Sequence, residues 1–164
     1  MTKRLTRAGL LTALALIIFV LEAQLPPLVP IPGIKLGLAN IGVLITLYLL
    51  GPWYAAAVSI VRVVLNGVLF TGVSAMLYSM AGAVLALAVM IPLRACGRFG
   101  SVGVSVGGAV AHIAGQLAAA HFVTRTGAVW AYAPLLTAAA CAAGAVNGTA
   151  AALIVRGVRR TPGG

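Results

Sequence analysis

Acidic residues are almost missing from this chain. Its 164 residues include one, Glu22, and no aspartate. That excludes paired carboxylates for acid–base work and the aspartate-rich clusters that hold a magnesium diphosphate, so no catalytic set is expected. Charge of either sign is scarce, at 7% of residues, where a soluble domain carries roughly 25%. So few charges cannot cover a water-facing surface. The two cysteines, Cys96 and Cys141, form no CxxC pattern, and the two histidines do not share a face at ligand spacing. Neither a disulfide scaffold, a metal site nor a cofactor is expected. No P-loop lysine pattern occurs, so the chain cannot be its own ATPase.

What is present is apolar. Hydrophobic residues make up 62% of the chain and the mean hydropathy is +1.14, which places it among integral membrane proteins. The expected fold is all-α, a single domain over 1–164 with six transmembrane segments. They run roughly Ala8–Gln24, Leu36–Leu50, Trp53–Phe70, Ser74–Leu93, Val102–Val123 and Trp130–Val155. The second is short for a span of about 20 residues. MTKRLTR followed by LLTALALIIFV has the form of a signal peptide. Glu22 and Gln24 and then Pro26 and Pro27 follow it without a small-x-small cleavage site, so a retained first helix is expected. Four prolines between Pro26 and Pro32 then keep the first loop out of helix.

Eleven basic residues give a formal charge of +10, but no basic face with interleaved aromatics exists, which excludes nucleic acid as a partner. The charges mark topology instead. Lys3, Arg4, Arg7, Arg94, Arg98, Arg156, Arg159 and Arg160 fall on one side of a six-span chain, and Lys35 and Arg125 on the other. Positive residues gather on the cytoplasmic side, so both termini are expected there.

Arg62 belongs to neither side. It stands inside VSIVRVVLNG, about 14 Å up the third helix and near the bilayer midplane. A central arginine costs roughly 2.5–3.5 kcal/mol even on lenient insertion scales. Ser59, Arg62 and Asn66 share a face at i, i+3 and i+7; His112 and Gln116 share one on the fifth helix at i and i+4. With Glu22 at the outer end of helix one and Asn40 about a turn into helix two, these groups gather in the outer half of the bundle. Arg62, Asn66, Glu22, Asn40, His112 and Gln116 are therefore the candidate substrate-binding residues. Two arrangements stay open for Arg62: pairing with Glu22, or meeting a small polar or anionic ligand beneath the proline-rich loop. Interhelical hydrogen bonding that only fixes the packing is the plain alternative. His121 reads as interfacial, and Asn147 as a bond to a neighbouring helix. The small residues Gly107, Ala111 and Gly115 on helix five, Ala138 to Ala152 on helix six, and Gly9 and Ala13 on helix one read as packing faces or as a docking face for a partner. GSVGVSVGG lacks nucleotide context and reads as close packing.

LGLANIGVLITLYLLGPWYAAAVSIVRVVLNGVLFTG, residues 36–72, resembles the core of the bacterial Gx transporter family, also labelled heptaprenyl diphosphate synthase component I. GAVAHIAGQLAAA, residues 108–120, resembles its second hallmark. The family is similar in size and plan to the substrate-binding S components of energy-coupling-factor vitamin transporters. The resemblance implies a multi-pass protein of the bacterial cytoplasmic membrane, an outward-facing pocket lidded by the first loop, and a non-enzymatic transport role. Its partners would be lipid and a transmembrane coupling subunit with ATPases. In place of the Ala-xxx-Ala docking pattern of S components, the first helix has Gly9-xxx-Ala13. Related proteins are also linked to prenyl-quinone gene clusters and flavin-dependent extracellular electron transfer. The alternatives are therefore a non-catalytic membrane subunit of heptaprenyl diphosphate or quinone synthesis and a membrane anchor for a redox system.

Overall fold

The computed structural model describes the backbone of residues 2–23 and 40–160, and the side chains of residues 5–21 and 40–160. The Glu22 side chain, Gln24, the loop Pro26–Gly33 and Lys35 lie outside the described residues. Those described form six α-helices and no strand: α1 (Thr2–Ala23), α2 (Asn40–Leu50), α3 (Pro52–Asn66), α4 (Gly72–Ala95), α5 (Ser101–Thr124) and α6 (Ala133–Arg160). Aliphatic and alanine-rich sequence favours helix throughout, and the breaks fall where it is interrupted. Gly51, at φ 100°, ends α2, and Pro52 opens α3 at a first-turn position where its missing N–H is no loss.

Three helical stretches are long and apolar enough to cross a membrane: Pro52–Ala95, Ser101–Thr124 and Gly127–Arg160. The chain is thus a helical membrane protein. The first stretch folds back on itself. A Cβ built on Gly67 would lie 2.6 Å from Cβ of Met76, whereas nine residues of straight helix span about 13 Å. The reversal uses a π-helical turn over Gly67–Thr71 and Gly72 at φ 81°. Gly72 N–H bonds to the Gly67 carbonyl, and the Thr71 hydroxyl donates to the Asn66 carbonyl at 3.2 Å. The third helix expected over Trp53–Phe70 therefore leaves regular α geometry at Asn66. Before α6, a 3₁₀ segment over Gly127–Tyr132 replaces the expected start at Trp130. At the end of α5 Arg125 takes the left-handed cap at φ 52°, and the His121 ring lies 2.9 Å from the Thr126 carbonyl, which fits an interfacial position.

The main packing runs α2–α3–α4–α5–α6 and back to α2, with α1 laid against α2 and α3. One apolar cluster joins Ala8, Leu44, Leu47, Ala55, Met90, Val104 and Val155. The other joins Tyr78, Ile113, Leu117, Val129, Leu136 and Ala140. The buried polar side chains of α3 and α5 belong to neither.

Candidate functional site

α3 is amphipathic in the inverse sense of a soluble helix. Ile60, Val61 and Val64 face outward, whereas Ser59, Arg62 and Asn66 are buried, Arg62 to 5% exposure. The i, i+3, i+7 face read from the sequence is the inward face. In lipid this is the expected sense, because apolar side chains lose nothing by facing acyl chains and polar ones must find partners inside.

Arg62 Nη2 donates to Asn40 Oδ1 at 2.9 Å. Asn40 begins the described part of α2, so this bond ties α2 to α3. The arginine also lies near His112, which links α3 to α5. His112 and Gln116 are buried together, as their spacing implies, Gln116 to 1% exposure. They lie against the α4 backbone at Gly82. A Cβ there would stand 2.8 Å from His112 Nδ1 and 2.9 Å from Gln116 Cγ. Only glycine leaves room for both.

Of the six candidate residues, Asn40, Arg62, Asn66, His112 and Gln116 are described. The structure joins Asn40 to Arg62 directly and brings Arg62 near His112. The Glu22 side chain falls outside the described residues, and so does the Glu22–Arg62 pair. Gly82 escaped the sequence reading. The signal for it was faint: one glycine within a long apolar helix, where glycine costs about 1 kcal/mol relative to alanine. Ser105, also buried, was missed for the same reason, since isolated serines are common in helices.

Hydrogen bonding within the cluster is incomplete. Asn66 Oδ1 is buried without a partner, and His112 Nδ1, held against the Gly82 backbone, makes no well-aligned bond. A buried acceptor left unbonded costs about 1–3 kcal/mol. The layer therefore sets the donor-bearing side chains of Arg62 and Gln116 near the unbonded Asn66 acceptor, between the two apolar clusters. It can hold a polar group by hydrogen bonds and positive charge. Among the described side chains the layer contains no carboxylate or thiol. No group of three metal-ligating residues occurs among the described residues.

Asn147 is buried on α6. Beside it Gly144 and Gly148 approach the α5 backbone, where Cβ atoms would come within 2.8 Å of Val106 Cα and 2.5 Å of Val102 Cα. The small residues of α5 and α6 thus serve packing within the bundle. Gly9 has no atom within 4 Å of its Cβ position. A cleft of about 320 Å³ lies between α1 and the π-helical turn, lined by Leu16, Ile17, Val20, Leu21, Leu69 and Phe70. It is wholly apolar and opens outward, as lipid-facing surface does.

The fold defines a helical membrane protein with a layer of buried polar side chains in its interior. The family described as heptaprenyl diphosphate synthase component I matches residues 11–154, and the chain belongs to that family. No curated protein and no solved structure matches the chain.

Proposed function

We propose that this chain is a non-catalytic, multi-pass subunit of the bacterial cytoplasmic membrane that binds a small anionic or acceptor-rich molecule, as the substrate-binding subunit of a transporter does. The observation that carries the reading is the convergence of half-buried Asn40 with buried Arg62, Asn66, His112 and Gln116 from three helices, with an open acceptor at Asn66. Packing alone rarely leaves a buried amide oxygen unbonded. A permanent guanidinium beside it gives the layer a positive bias, which prefers anions and neutral polar molecules to cations. Six spans with both termini cytoplasmic put this layer in the outer half of the bundle. The clustering of Arg94 and Arg159 at one end and Arg125 at the other supports that orientation. Glu22 then stands at the outer end of α1, within snorkelling reach of Arg62. A transmembrane coupling subunit with its own ATPases would supply the energy.

The test is native mass spectrometry of the protein purified gently from its own membranes, with Arg62→Leu and Arg62→Lys alongside. The reading expects a small molecule on the parent chain, none on Arg62→Leu and weak retention on Arg62→Lys, which lacks the planar fork. A parent chain that carries no small molecule under these conditions, or equal retention by Arg62→Leu, overturns it. A periplasmic signal from a reporter fused after Gly164 would overturn the orientation.

A second reading is favoured by the family's description. The chain would be the membrane partner of a separate prenyl diphosphate synthase, presenting or sequestering an anionic lipid diphosphate. With no aspartate in its sequence it has no means of holding the magnesium diphosphate for catalysis. Co-purification with a soluble synthase, in place of a small molecule, would select this reading.

A further inference from the structure

The C-terminal ends of α2, α4 and α6 meet at one corner of the bundle. The Cζ atom of Arg94, in the last turn of α4, stands 5.3 Å from the centroid of the Tyr48 ring, near the end of α2. Arg159, in the last turn of α6, donates from Nη2 to the Tyr48 backbone carbonyl at 3.3 Å. Three helix dipoles point their negative ends here, which accounts for part of the arginines' placement. It does not use up their donors. A guanidinium has five N–H groups; Arg159 gives one to Tyr48, and Arg94 meets a ring face. No described side chain is a carboxylate, and Glu22 stands at the far end of α1. Two like charges are thus gathered on one tyrosine, with no carboxylate between them among the described side chains. Just before Arg159 on α6, Leu153, Ile154 and Val158 are exposed at 65%, 41% and 38%.

We propose that this corner binds an anionic phospholipid, with the phosphate between Arg94 and Arg159 and an acyl chain along the exposed apolar surface of α6. The placement favours a lipid over a free anion, because Arg159 closes a membrane helix that exposes Leu153, Ile154 and Val158 within the preceding two turns. Tyrosine is also common where such helices leave the hydrocarbon layer. The inference does not depend on what Arg62 binds.

The full chain, purified and stripped of lipid in detergent, is titrated with phosphatidylglycerol and with phosphatidylcholine. Lipid occupancy is read by native mass spectrometry and stability by thermal melting. Phosphatidylglycerol is expected to half-saturate at about tenfold lower concentration than phosphatidylcholine. Arg94→Gln with Arg159→Gln should abolish that preference, whereas Arg125→Gln, at the other end of the molecule, should keep it. If the double variant does not fold, Arg94→Gln alone decides the matter, since it keeps the Arg159–Tyr48 bond and should reduce the preference by a factor of a few. Equal uptake of the two lipids overturns the proposal, as does an undiminished preference in these variants. Inorganic phosphate that raises the melting temperature as far as phosphatidylglycerol does would assign the corner to a free anion. A glutamate-rich peptide that displaces the lipid at lower concentration would assign it to an acidic protein segment. Either result defeats the lipid proposal.

Discussion

The two halves of the bundle hold together by different means. In α4–α6 the helices approach backbone to backbone. Cβ atoms on Gly115 and Gly148 would come within 2.6 Å of the Ala81 carbonyl oxygen and 2.5 Å of Val102 Cα. In α1–α3 the interior is filled instead by branched aliphatic side chains such as Leu44, Ile45 and Leu47, with one tight crossing where Gly42 meets Ala15. Leu5, Leu10, Ile17 and Leu21 of α1 face outward. Lipid is as apolar as leucine, so apolar surface alone does not draw helices together in a membrane. The α4–α6 half gains its contact from close approach, the α1–α3 half from shape and from the Arg62–Asn40 bond. The polar layer lies where the halves meet, with Arg62 and Asn66 from one and His112 and Gln116 from the other.

This contrast breaks most sharply at Gly148. Gly148→Leu forces a side chain into the α5 backbone, which cannot yield as a flexible side chain would. It should destabilise by about 3 kcal/mol or more, beyond the usual range for overpacking, and most of the protein should be lost on extraction into detergent. Size-exclusion yield and thermal melting check this, and a variant that melts with the parent would remove the distinction between the halves.

Leu47→Ala probes the aliphatic half. It opens a cavity at a fully buried site. The expected loss is about 2 kcal/mol, at the low end for such changes because the water-to-oil transfer term is small in lipid. Leu10→Ala, at a position 72% exposed, should change the melting temperature very little. Equal losses at the two sites would show that α1 is covered by something other than lipid.

Arg62→Leu acts at the seam. It removes the bond to Asn40 but also relieves the cost of a buried charge, so the net loss of stability should be only about 1 kcal/mol. Asn40→Leu in the same chain should recover most of it, because both partners are then apolar. Ligand retention should stay lost in the pair. A double variant that is stable and still binds would make the seam structural only.

The smallest effect is expected at Gly9→Val. With nothing within 4 Å of its Cβ position, stability should stay within about 0.5 kcal/mol. If that variant fails only when co-expressed with other membrane proteins, Gly9 belongs to a docking face. Pull-down of the parent chain and the variant side by side reads this directly.

Much of this architecture is legible in the chain. Hydropathy marks the helices, because twenty apolar residues in a row have few homes other than a bilayer. The inward face of α3 follows from Ser59, Arg62 and Asn66, since helical period alone puts them on one side. His112 and Gln116 pair by the same rule. The break between the third and fourth helices is legible at 71–73, where Gly72 reaches positive φ, but the π-helical turn over Gly67–Thr71 that leads into it is not, because GVLF is as apolar as the helix before it. Asn40 was read as a pocket group, but its bond to Arg62 spans 22 residues and no local pattern encodes it.

By itself, then, the sequence determined the solvent and the faces: a membrane protein, basic at its edges, with one arginine that must look inward. Those are consequences of composition and of the 3.6-residue period, which act within a single helix. Only the tertiary structure decided which inward groups meet. Arg62 finds Asn40 because α2 and α3 pack together, and His112 fits against α4 because Gly82 has no side chain. Such contacts depend on the distance of closest approach between helices far apart in the chain. A missing Cβ on one helix sets that distance, and the sequence of its neighbour carries no trace of it.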